Sequence, residues 1–511
     1  MTEYSNLKKQ TRSMMLATFA SRVFGLVRVQ VITFLLGTSR SADIWGIAFM
    51  VPNLFRRLIA EGAMSSAFVP LLSNMNRKSD RKKFAAHIFS MMFLVATVFT
   101  ILMIIWLPDL LPALLKLARR TPDGTDASLA IQPTQLMFPF LIFVCLSAVC
   151  QSILNVEGVF FYPAMTPILI SLGVITGGMT AYFLDLNLVF GLGTGVLAGG
   201  FMQLIMQWFV LKRSGYTLFP WHFRWSTEVR QAVILWLPTT FSAGVYQINL
   251  LLSRSVSFSL FDGAIAALNY SARLTELVLG IFAASISTAL LPALSRKVIK
   301  DNPQESNKYL FGSLTDMSFI AIPASVGLAL AGFPLVGFLF KYGAFSEWSH
   351  MLTYGALLFG SLTLVPISWY RILSQLFYAQ RRVKSLVVIS ILATCLNVIG
   401  FFVLPGFFPQ TISHLGIGLS TLIYSWILYF SVSIYASITM GFEWKSGPGI
   451  QILKMVLATA CILPVWFPFN LAMLGFFTWA LKVACSIIIY LTASHLLSIK
   501  AMENLLGRWR R

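Results

Sequence analysis

The sequence has little charge, and acidic residues are its scarcest component. Charged residues make up 11% of the 511-residue chain, with 18 Asp and Glu against 38 Lys and Arg. Soluble domains average about a quarter charged residues, so this composition excludes an ordinary soluble protein. The net charge of +20 does not indicate nucleic-acid binding, because the basic residues lie in short loops and form no continuous basic face.

Cysteine and histidine are also sparse, with five residues of each type. No cysteine pair has CxxC spacing, and no histidine pair has the HExxH spacing of metal sites. All five cysteines fall in apolar segments, which predicts buried and unreactive thiols. The sequence therefore predicts neither a metal site nor a bound cofactor.

Apolar residues are abundant, at 57% of the chain with a mean hydropathy of +0.78. A membrane-spanning helix needs about 20 apolar residues, and the apolar runs here are continuous and lack strict alternation. The predicted fold class is an all-α polytopic membrane protein with about 14 transmembrane helices. The predicted spans are 13–37, 44–73, 85–115, 130–155, 161–184, 188–212, 231–257, 264–295, 309–332, 349–379, 385–404, 414–440, 449–468 and 473–498.

The basic residues predict the orientation of these spans. With an even number of spans, both termini lie on one side, and the loops and helix ends of that side hold about 25 Lys and Arg. The opposite side holds about five. Because positive charge accumulates in cytoplasmic loops, we expect both termini in the cytoplasm of a multi-pass protein.

An internal repeat predicts how the spans are grouped. Residues 65–73 read SSAFVPLLS and residues 287–295 read STALLPALS, although similarity between apolar helices also arises by chance. Parallel repeats often enclose the substrate path of a transporter. We therefore predict two six-helix lobes plus two further helices. The predicted segments are an N-terminal lobe at 1–213, an interfacial connector at 214–230, a C-terminal lobe at 231–440, and the last two helices with a basic cytoplasmic tail at 441–511.

Several arginines fall inside the predicted spans. An arginine near the bilayer centre costs roughly 2.5–3.5 kcal/mol to insert, so such residues mark water-filled or substrate-lined surfaces. Arg22, Arg28 and Arg273 lie well within their runs, and we predict that they attract an anionic group. The alternative, that an arginine near a helix end reaches the headgroups, applies to Arg56, Arg57, Arg254 and Arg371.

Helical spacing pairs some of these arginines with carboxylates. Arg57 and Glu61 are four residues apart, and Arg273 and Glu276 are three apart, so each pair shares a helix face.

Glycine and proline mark two further features of the predicted helices. Gly25, Pro238 and Gly244 make the first and seventh spans candidates for bending. Gly191, Gly195 and Gly199 form a ladder that predicts close helix packing.

These residues fall within motifs that resemble the MurJ (MviN) family. The matching segments are SRVFGLVR at 21–28, Asp43, PNLFRRLIAEGAMSSAFVP at 52–70, ARLTE at 272–276, LLPALS at 290–295, FKYGAF at 340–345 and FYA at 377–379. The resemblance implies a lipid II flippase of the multidrug/oligosaccharidyl-lipid/polysaccharide exporter superfamily, located in the bacterial cytoplasmic membrane. Such a protein moves the undecaprenyl-pyrophosphate-linked precursor from the cytoplasmic to the periplasmic leaflet by alternating access.

The resemblance also implies a set of substrate-binding residues. The family's critical charges correspond to Arg22, Arg28, Asp43, Arg56, Glu61 and Arg273, and Asn53 and Glu276 complete the predicted set. The last two helices resemble those that form a groove for the lipid tail. The expected partners are lipid II and membrane lipids, with proteins of cell-wall synthesis left open. Coupling to the membrane potential or to a monovalent cation is also left open.

Three other functions compete with this prediction. A cation-coupled drug exporter, or an exporter of another lipid-linked oligosaccharide, would share the superfamily, but a drug exporter should present carboxylates to its cationic substrate. A membrane enzyme acting on lipid-linked sugars would need catalytic carboxylates or a metal cluster, and the periplasmic loops are short. A membrane scaffold for cell-wall assembly would tolerate neutral substitutions at the buried arginines.

Overall fold

The computed structural model describes residues 2–59, 63–117, 125–219, 221, 224–280, 290, 294, 303–442, 448–467 and 475–503. Within these ranges the secondary structure is helical, so the predicted all-α class is confirmed. The chain divides into two compact units, Met1–Ile265 with Tyr342–Phe345, and Ala266–Lys341 with Ser346–Arg511. The predicted lobe boundaries and the repeat stay predictions, because most of residues 287–295 lie outside the described ranges.

The first unit contains the helices of the N-terminal half. They are α1 (Thr2–Leu36), α2 (Arg40–Ile59), α3 (Ala63–Ser73), α4 (Lys78–Leu117), α5 (Thr125–Met137), α6 (Phe140–Val156), α7 (Phe161–Phe183), α8 (Leu188–Arg213) and α9 (Thr227–Phe258). Helix α10 (Ala264–Val278) follows and begins at the boundary of the unit.

The second unit contains the remaining helices. They are α11 (Pro303–Phe340), α12 (Glu347–Leu362), α13 (Leu364–Ala379), α14 (Val383–Val403), α15 (His414–Met440), α16 (Pro448–Ala460), α17 (Leu463–Trp466) and α18 (Phe476–Leu496).

Eleven helical segments within the described ranges are long and apolar enough to cross a membrane. The predicted number of fourteen spans stays a prediction. Helices α4 and α11 have 40 and 38 residues. At 1.5 Å per residue, both are roughly twice as long as the ~30 Å hydrocarbon core is thick, so each extends well beyond the bilayer.

Some predicted spans are interrupted. The predicted span 130–155 is broken between Met137 and Phe140, and 349–379 is broken at Thr363. Two helices are longer than their predicted spans. Helix α1 begins at Thr2, whereas the span was predicted from residue 13, and α11 continues to Phe340, whereas the span was predicted to end at residue 332. Hydropathy does not detect a break of one or two residues or a polar end of the same helix, which explains these differences, and both interrupted stretches remain long and apolar enough to span a membrane.

The prediction that all cysteines are buried is partly wrong. Cys145 and Cys150 are buried, whereas Cys395 and Cys461 are exposed. An apolar segment in a membrane protein presents part of its surface to lipid, so apolar surroundings in the sequence do not imply burial inside the protein.

A seam of glycines joins α7 to α8. A Cβ atom on Gly199 would lie 2.7 Å from the Cα atom of Ile170, and one on Gly177 would lie 2.8 Å from the Cα atom of Gly195. A Cβ atom on Gly195 would collide with the carbonyl oxygen of Gly173. The predicted role of the glycine ladder in close packing is therefore confirmed.

Two prolines inside long helices leave carbonyl groups that side chains of other helices bind. Proline lacks an amide hydrogen, so Pro108 and Pro323 leave the carbonyls four residues earlier without their usual helical donor. Gln135 Nε2 donates to the Ile104 carbonyl at 2.9 Å. Tyr490 Oη donates to the Phe319 carbonyl at 2.8 Å. These bonds attach α5 to α4 and α18 to α11 at defined positions.

Candidate functional site

Arg22 and Arg28 lie in the apolar part of α1. The helix segment Leu16–Leu36 contains both residues and is apolar enough to span a membrane. Arg22 is exposed and Arg28 is half-buried. Six residues of α-helix separate them by about 9 Å along the axis and about 120° around it. The two guanidinium groups therefore leave the helix in different directions.

Helix α2 places a second pair of predicted site residues together. Arg56 Nε donates a hydrogen bond to Asn53 Oδ1 at 2.7 Å, and both side chains are half-buried. This i,i+3 spacing fixes the position of the guanidinium on one helix face. Glu61 lies outside the described residues, so its predicted pairing with Arg57 stays a prediction.

Arg273 and Glu276 form an ion pair on α10. Arg273 Nη1 lies 2.9 Å from Glu276 Oε2, and the two side chains are 40% and 50% exposed. The pairing predicted from their spacing is confirmed. Because both ends are solvent-accessible, such a pair is weak, of the order of 1 kcal/mol or less. An anionic ligand could therefore replace Glu276 at Arg273 without a large energetic penalty.

Two other arginines of the predicted spans differ from each other in exposure. Arg254 on α9 is buried, with 8% of its surface exposed, whereas Arg371 on α13 is half-buried. The headgroup alternative therefore does not fit Arg254.

Asp43 is fully buried near the start of α2. Its Oδ2 atom accepts a hydrogen bond from the backbone N–H of Gly263 at 2.7 Å. The carboxylate also lies in the first turn of α2, where the helix dipole stabilises negative charge. A side chain with no exposed surface does not contact a substrate in this conformation. Here Asp43 instead connects α2 to the loop that precedes α10.

Arg40 strengthens the same connection. Its Nη1 atom donates to the Phe258 carbonyl at 3.2 Å, and its guanidinium carbon lies 3.7 Å from the centre of the Phe258 ring. Asp262 Oδ1 is 3.6 Å from the same nitrogen. We call Arg40, Asp43, Phe258, Asp262 and Gly263 the α2 clasp. The partners of Arg40 are more than 200 residues away in the sequence, so helical spacing contains no signal of this connection.

The turn between α1 and α2 is bound by a second distant segment. Gly37 has φ +55°, and a Cβ atom there would collide with the carbonyl oxygen of Ala344. The Ala344 N–H donates to the Phe34 carbonyl at 2.8 Å. Residues 342–345, part of the FKYGAF motif, therefore pack against this turn within the first unit. Only glycine combines this backbone conformation with this close approach.

A polar cluster joins three helix ends elsewhere in the first unit. Tyr216 Oη donates to Glu157 Oε1 at 2.6 Å, and Lys78 and Arg81 lie 3.6 and 3.7 Å from the Glu157 carboxylate. Burial and the hydrogen bond to Glu157 raise the pKa of the Tyr216 hydroxyl. The cluster joins the start of α4 to the ends of α6 and α8. The cluster leaves no signal in the sequence, because no single helix contains two of its members at helical spacing, apart from the like-charged Lys78 and Arg81.

No metal site accompanies these residues in the described ranges, where no group of three or more His, Cys, Asp or Glu is suitably placed to hold a metal ion. The family model described as lipid II flippase MurJ matches residues 32–487. The chain belongs to the MurJ family.

Curated relatives agree with this assignment over most of the chain. A probable lipid II flippase MurJ of Buchnera aphidicola (subspecies Baizongia pistaciae) is 31% identical over 83% of this chain and 83% of its own length. A probable lipid II flippase MurJ of Treponema pallidum is 32% identical over 78% of this chain and 76% of its own length. The lipid II flippase MurJ of Burkholderia cenocepacia is 29% identical over 79% of this chain and 78% of its own length.

Solved structures show the same fold. A lipid II flippase MurJ in an inward closed conformation superposes with a TM-score of 0.78 at 25% identity, covering 94% of this chain and 98% of the other. A multidrug resistance MATE transporter of the MOP superfamily, in an inward-facing conformation, gives a TM-score of 0.68 at 16% identity, covering 84% of this chain and 99% of the other. The second similarity shows a shared fold and nothing about substrate.

The predicted site residues differ in burial and in their partners. The structure places Asp43 in a buried connection, Asn53 with Arg56 on α2, and Arg273 with Glu276 on α10. Arg22 is the most exposed of the four arginines in the predicted set. These residues therefore divide into one structural carboxylate and several accessible cationic groups.

Proposed function

We propose that this chain is a flippase that moves lipid II across the bacterial cytoplasmic membrane. The match to the MurJ family over residues 32–487 carries the proposal. A protein of this family is a transporter, so no chemical step on the substrate is required. None of the observations above favours a drug exporter over a lipid II flippase, since the similarity to the MATE transporter concerns the fold alone.

The pyrophosphate of the substrate is bound by accessible arginines. Arg22 is exposed within an apolar span, where contact between a charged group and hydrocarbon is costly. A water-filled route or a bound anion removes that cost. Arginine suits this task because its planar guanidinium donates paired hydrogen bonds to phosphate oxygens. Arg22, Arg28 and Arg273 bind the pyrophosphate during the flipping cycle. The hydrogen bond to Asn53 holds the Arg56 guanidinium in position to contribute.

Glu276 keeps Arg273 in place when no substrate is bound. The exposed ion pair prevents the guanidinium from collapsing onto other groups, yet it is weak enough for pyrophosphate to displace the carboxylate. The negative charges of the substrate then replace the charge of Glu276. This exchange keeps the cost of binding and of release low.

The remaining parts of the mechanism concern the lipid tail, the orientation and the energy source. The polyprenyl tail stays in the bilayer or along the last two helices, while the protein alternates between inward-open and outward-open states. Both termini lie in the cytoplasm, and the membrane potential or a monovalent cation resets the cycle. A charge that crosses the membrane potential gains about 2.3 kcal/mol per 100 mV, which is enough to bias such a step. Proteins of cell-wall synthesis are further candidate partners.

The proposal is tested by measuring lipid II in the outer leaflet of cells depleted of their own flippase. Arg22→Ala, Arg28→Ala and Arg273→Ala should abolish flipping while the protein still inserts into the membrane at normal levels. Arg224→Ala and Arg230→Ala remove exposed arginines outside the set and should leave flipping intact. Normal flipping and complementation by all three site variants would refute the proposed role of these arginines.

A further inference from the structure

Two buried glutamines lie one turn apart on α8 and face α6. Gln203 is 8% exposed and Gln207 has no exposed surface. Gln203 Nε2 donates to Ser147 Oγ on α6 at 2.8 Å, and Ser147 is also fully buried. Because residues four apart share a helix face, Gln207 lies on the same side of α8 as Gln203. Both amides are therefore inside the first unit, and Gln203 is about 15 Å along the helix from the end of α8 at Arg213.

Helices α6 and α8 run in the same direction along this contact. The hydrogen bond to Ser147 lies upstream, in both helices, of the bond between Tyr216 and Glu157. This common direction places Gln151, four residues after Ser147, at about the level of Gln207. Gln151 is half-buried, so the polar contact between the two helices extends toward the surface of the unit.

Three polar atoms of the two glutamines have no hydrogen-bond partner among the described residues. They are Gln203 Oε1, Gln207 Oε1 and Gln207 Nε2. A buried amide without a partner costs free energy, and buried polar groups of folded proteins are almost always satisfied. The three atoms include two acceptors and one donor group. Water supplies both kinds of partner, and a buried water needs about two to four polar contacts.

A metal cation fits this place less well than water. Gln207 Nε2 carries two hydrogens with positive partial charge, and these would face the ion. Within the described ranges, no three His, Cys, Asp or Glu residues are grouped to hold a metal ion. The glutamines also lie within the apolar span Leu188–Arg213, where a charge without a counter-ion is costly. A neutral ligand that both donates and accepts is the better match.

We propose that Ser147, Gln203 and Gln207 form a binding site for ordered water between α6 and α8. The water accepts from Gln207 Nε2 and donates to the glutamine oxygens, so one turn of α8 is joined to α6 through solvent. Gln151 and Asn155 follow Ser147 at intervals of four residues and are half-buried. The polar face of α6 therefore continues toward the end of the helix and gives the water a route to the surface. The site does not depend on the substrate of the transporter.

Two buried cysteines of α6 can report on this water. Cys145 and Cys150 have no exposed surface. Cys150 is about 60° around the helix from Ser147, whereas Cys145 is about 160° away from it. X-ray radiolysis of the purified full-length chain generates hydroxyl radicals from bound as well as bulk water, and mass spectrometry then locates the oxidised side chains. Cys150 should be oxidised by radicals from the bound water, while Cys145 should remain unlabelled.

A double variant, Gln203→Leu with Gln207→Leu, removes both amides and should abolish the labelling of Cys150. Gln132→Leu removes an exposed amide of α5 in the same unit and is the matched control, which should leave the labelling unchanged. Equal labelling of the two cysteines in the unmodified chain, or labelling of Cys150 that persists in the double variant, would overturn the proposal. The comparison of the cysteines needs no variant, so it decides alone if the double variant does not fold.

The same labelling in sodium, potassium and choline chloride distinguishes water from a cation. Ordered water predicts equal oxidation of Cys150 in all three salts. Loss of the Cys150 signal in sodium or potassium alone would show that a cation occupies the site and would refute water as the ligand. Lipid II is absent from every sample, so failure here is distinct from failure of the flippase assignment.

Discussion

The carboxylate of Asp43 is the acceptor for a backbone N–H group that belongs to a segment 220 residues away. Asp43→Ala leaves the Gly263 amide without this acceptor in a buried place, which should lower the free energy of unfolding by about 1–3 kcal/mol. Asp43→Asn keeps a side-chain oxygen and should cost less. Thermal unfolding of the purified variants measures the difference.

Asp109→Ala, which removes an exposed carboxylate of α4, is the control and should change stability by less than about 0.5 kcal/mol. Equal stability of Asp43→Ala and the unmodified chain would show that the clasp contributes nothing. Loss of flipping with full stability would instead favour a direct role of Asp43 with the substrate.

At the scale of residues, the sequence predicts contacts within a helix and misses contacts between helices. The spacing of Arg273 and Glu276 was sufficient to predict their ion pair. The partners of Arg40 and Glu157 come from other helices, and helical periodicity contains no information about them. The sequence did not predict the burial of Asp43 for the same reason. An acidic residue in an apolar region is equally compatible with a water-exposed surface and with a buried hydrogen bond.

Between helices, two prolines free carbonyl groups to which a side chain of a neighbouring helix donates a hydrogen bond. Tyr490→Phe removes the donor to the Phe319 carbonyl, which Pro323 deprives of its helical partner, and should cost about 0.5–1.5 kcal/mol. In a Pro323→Ala background, the amide of residue 323 can bind this carbonyl again, so Tyr490→Phe should cost less. A double-mutant cycle on unfolding free energies gives the coupling.

Tyr309→Phe removes the hydroxyl of an exposed tyrosine of α11 and should be nearly neutral. Additive effects of Tyr490→Phe and Pro323→Ala would show that the hydroxyl does not compensate for the proline.

The seam between α7 and α8 leaves no space for a side chain. Gly195→Ala should destabilise the protein by about 1–3 kcal/mol, because its Cβ atom collides with the backbone of α7 and forces the helices apart. Gly312→Ala is the matched control on α11, where a Cβ atom meets nothing within 4 Å. That variant should gain about 0.5–1 kcal/mol from helix propensity. Equal melting temperatures of the two variants would contradict close packing at the seam.

Apolar runs located most helices to within a few residues, because both burial and lipid exposure require apolar side chains over the same length. The predicted span 161–184 corresponds to Phe161–Phe183, and 414–440 corresponds to His414–Met440. The interruption at Thr363 has no counterpart in hydropathy, because apolar residues continue on both sides of it.

The orientation of the whole molecule is open to a direct test. In a chain whose five native cysteines are replaced, Tyr342→Cys should react with a membrane-impermeant maleimide on intact cells, since Tyr342 is exposed and its loop is predicted to be periplasmic. Arg77→Cys, in an exposed and strongly basic segment, should react only after the membrane is permeabilised.

The opposite pattern of labelling would invert the orientation. Labelling of both positions from the same side would show an even number of crossings between residues 77 and 342 and would contradict the predicted count there.

For the whole molecule, composition predicted the class, and motifs predicted the family. The division into units could not be predicted in this way, since residues 342–345 belong to the first unit although residues 266–341 of the second unit precede them in the sequence. A four-residue segment carries too little apolar surface to reveal where it packs.

The turn at Gly37 sets an order of events for biosynthesis. The turn contacts Gly263 and Ala344. The ribosome must therefore translate about two-thirds of the 511 codons before both contacting residues exist. The first two helices therefore enter the bilayer long before their connecting turn is complete. A nascent chain truncated before residue 342 should accordingly remain sensitive to proteases at this turn, whereas one extended past residue 345 acquires protection.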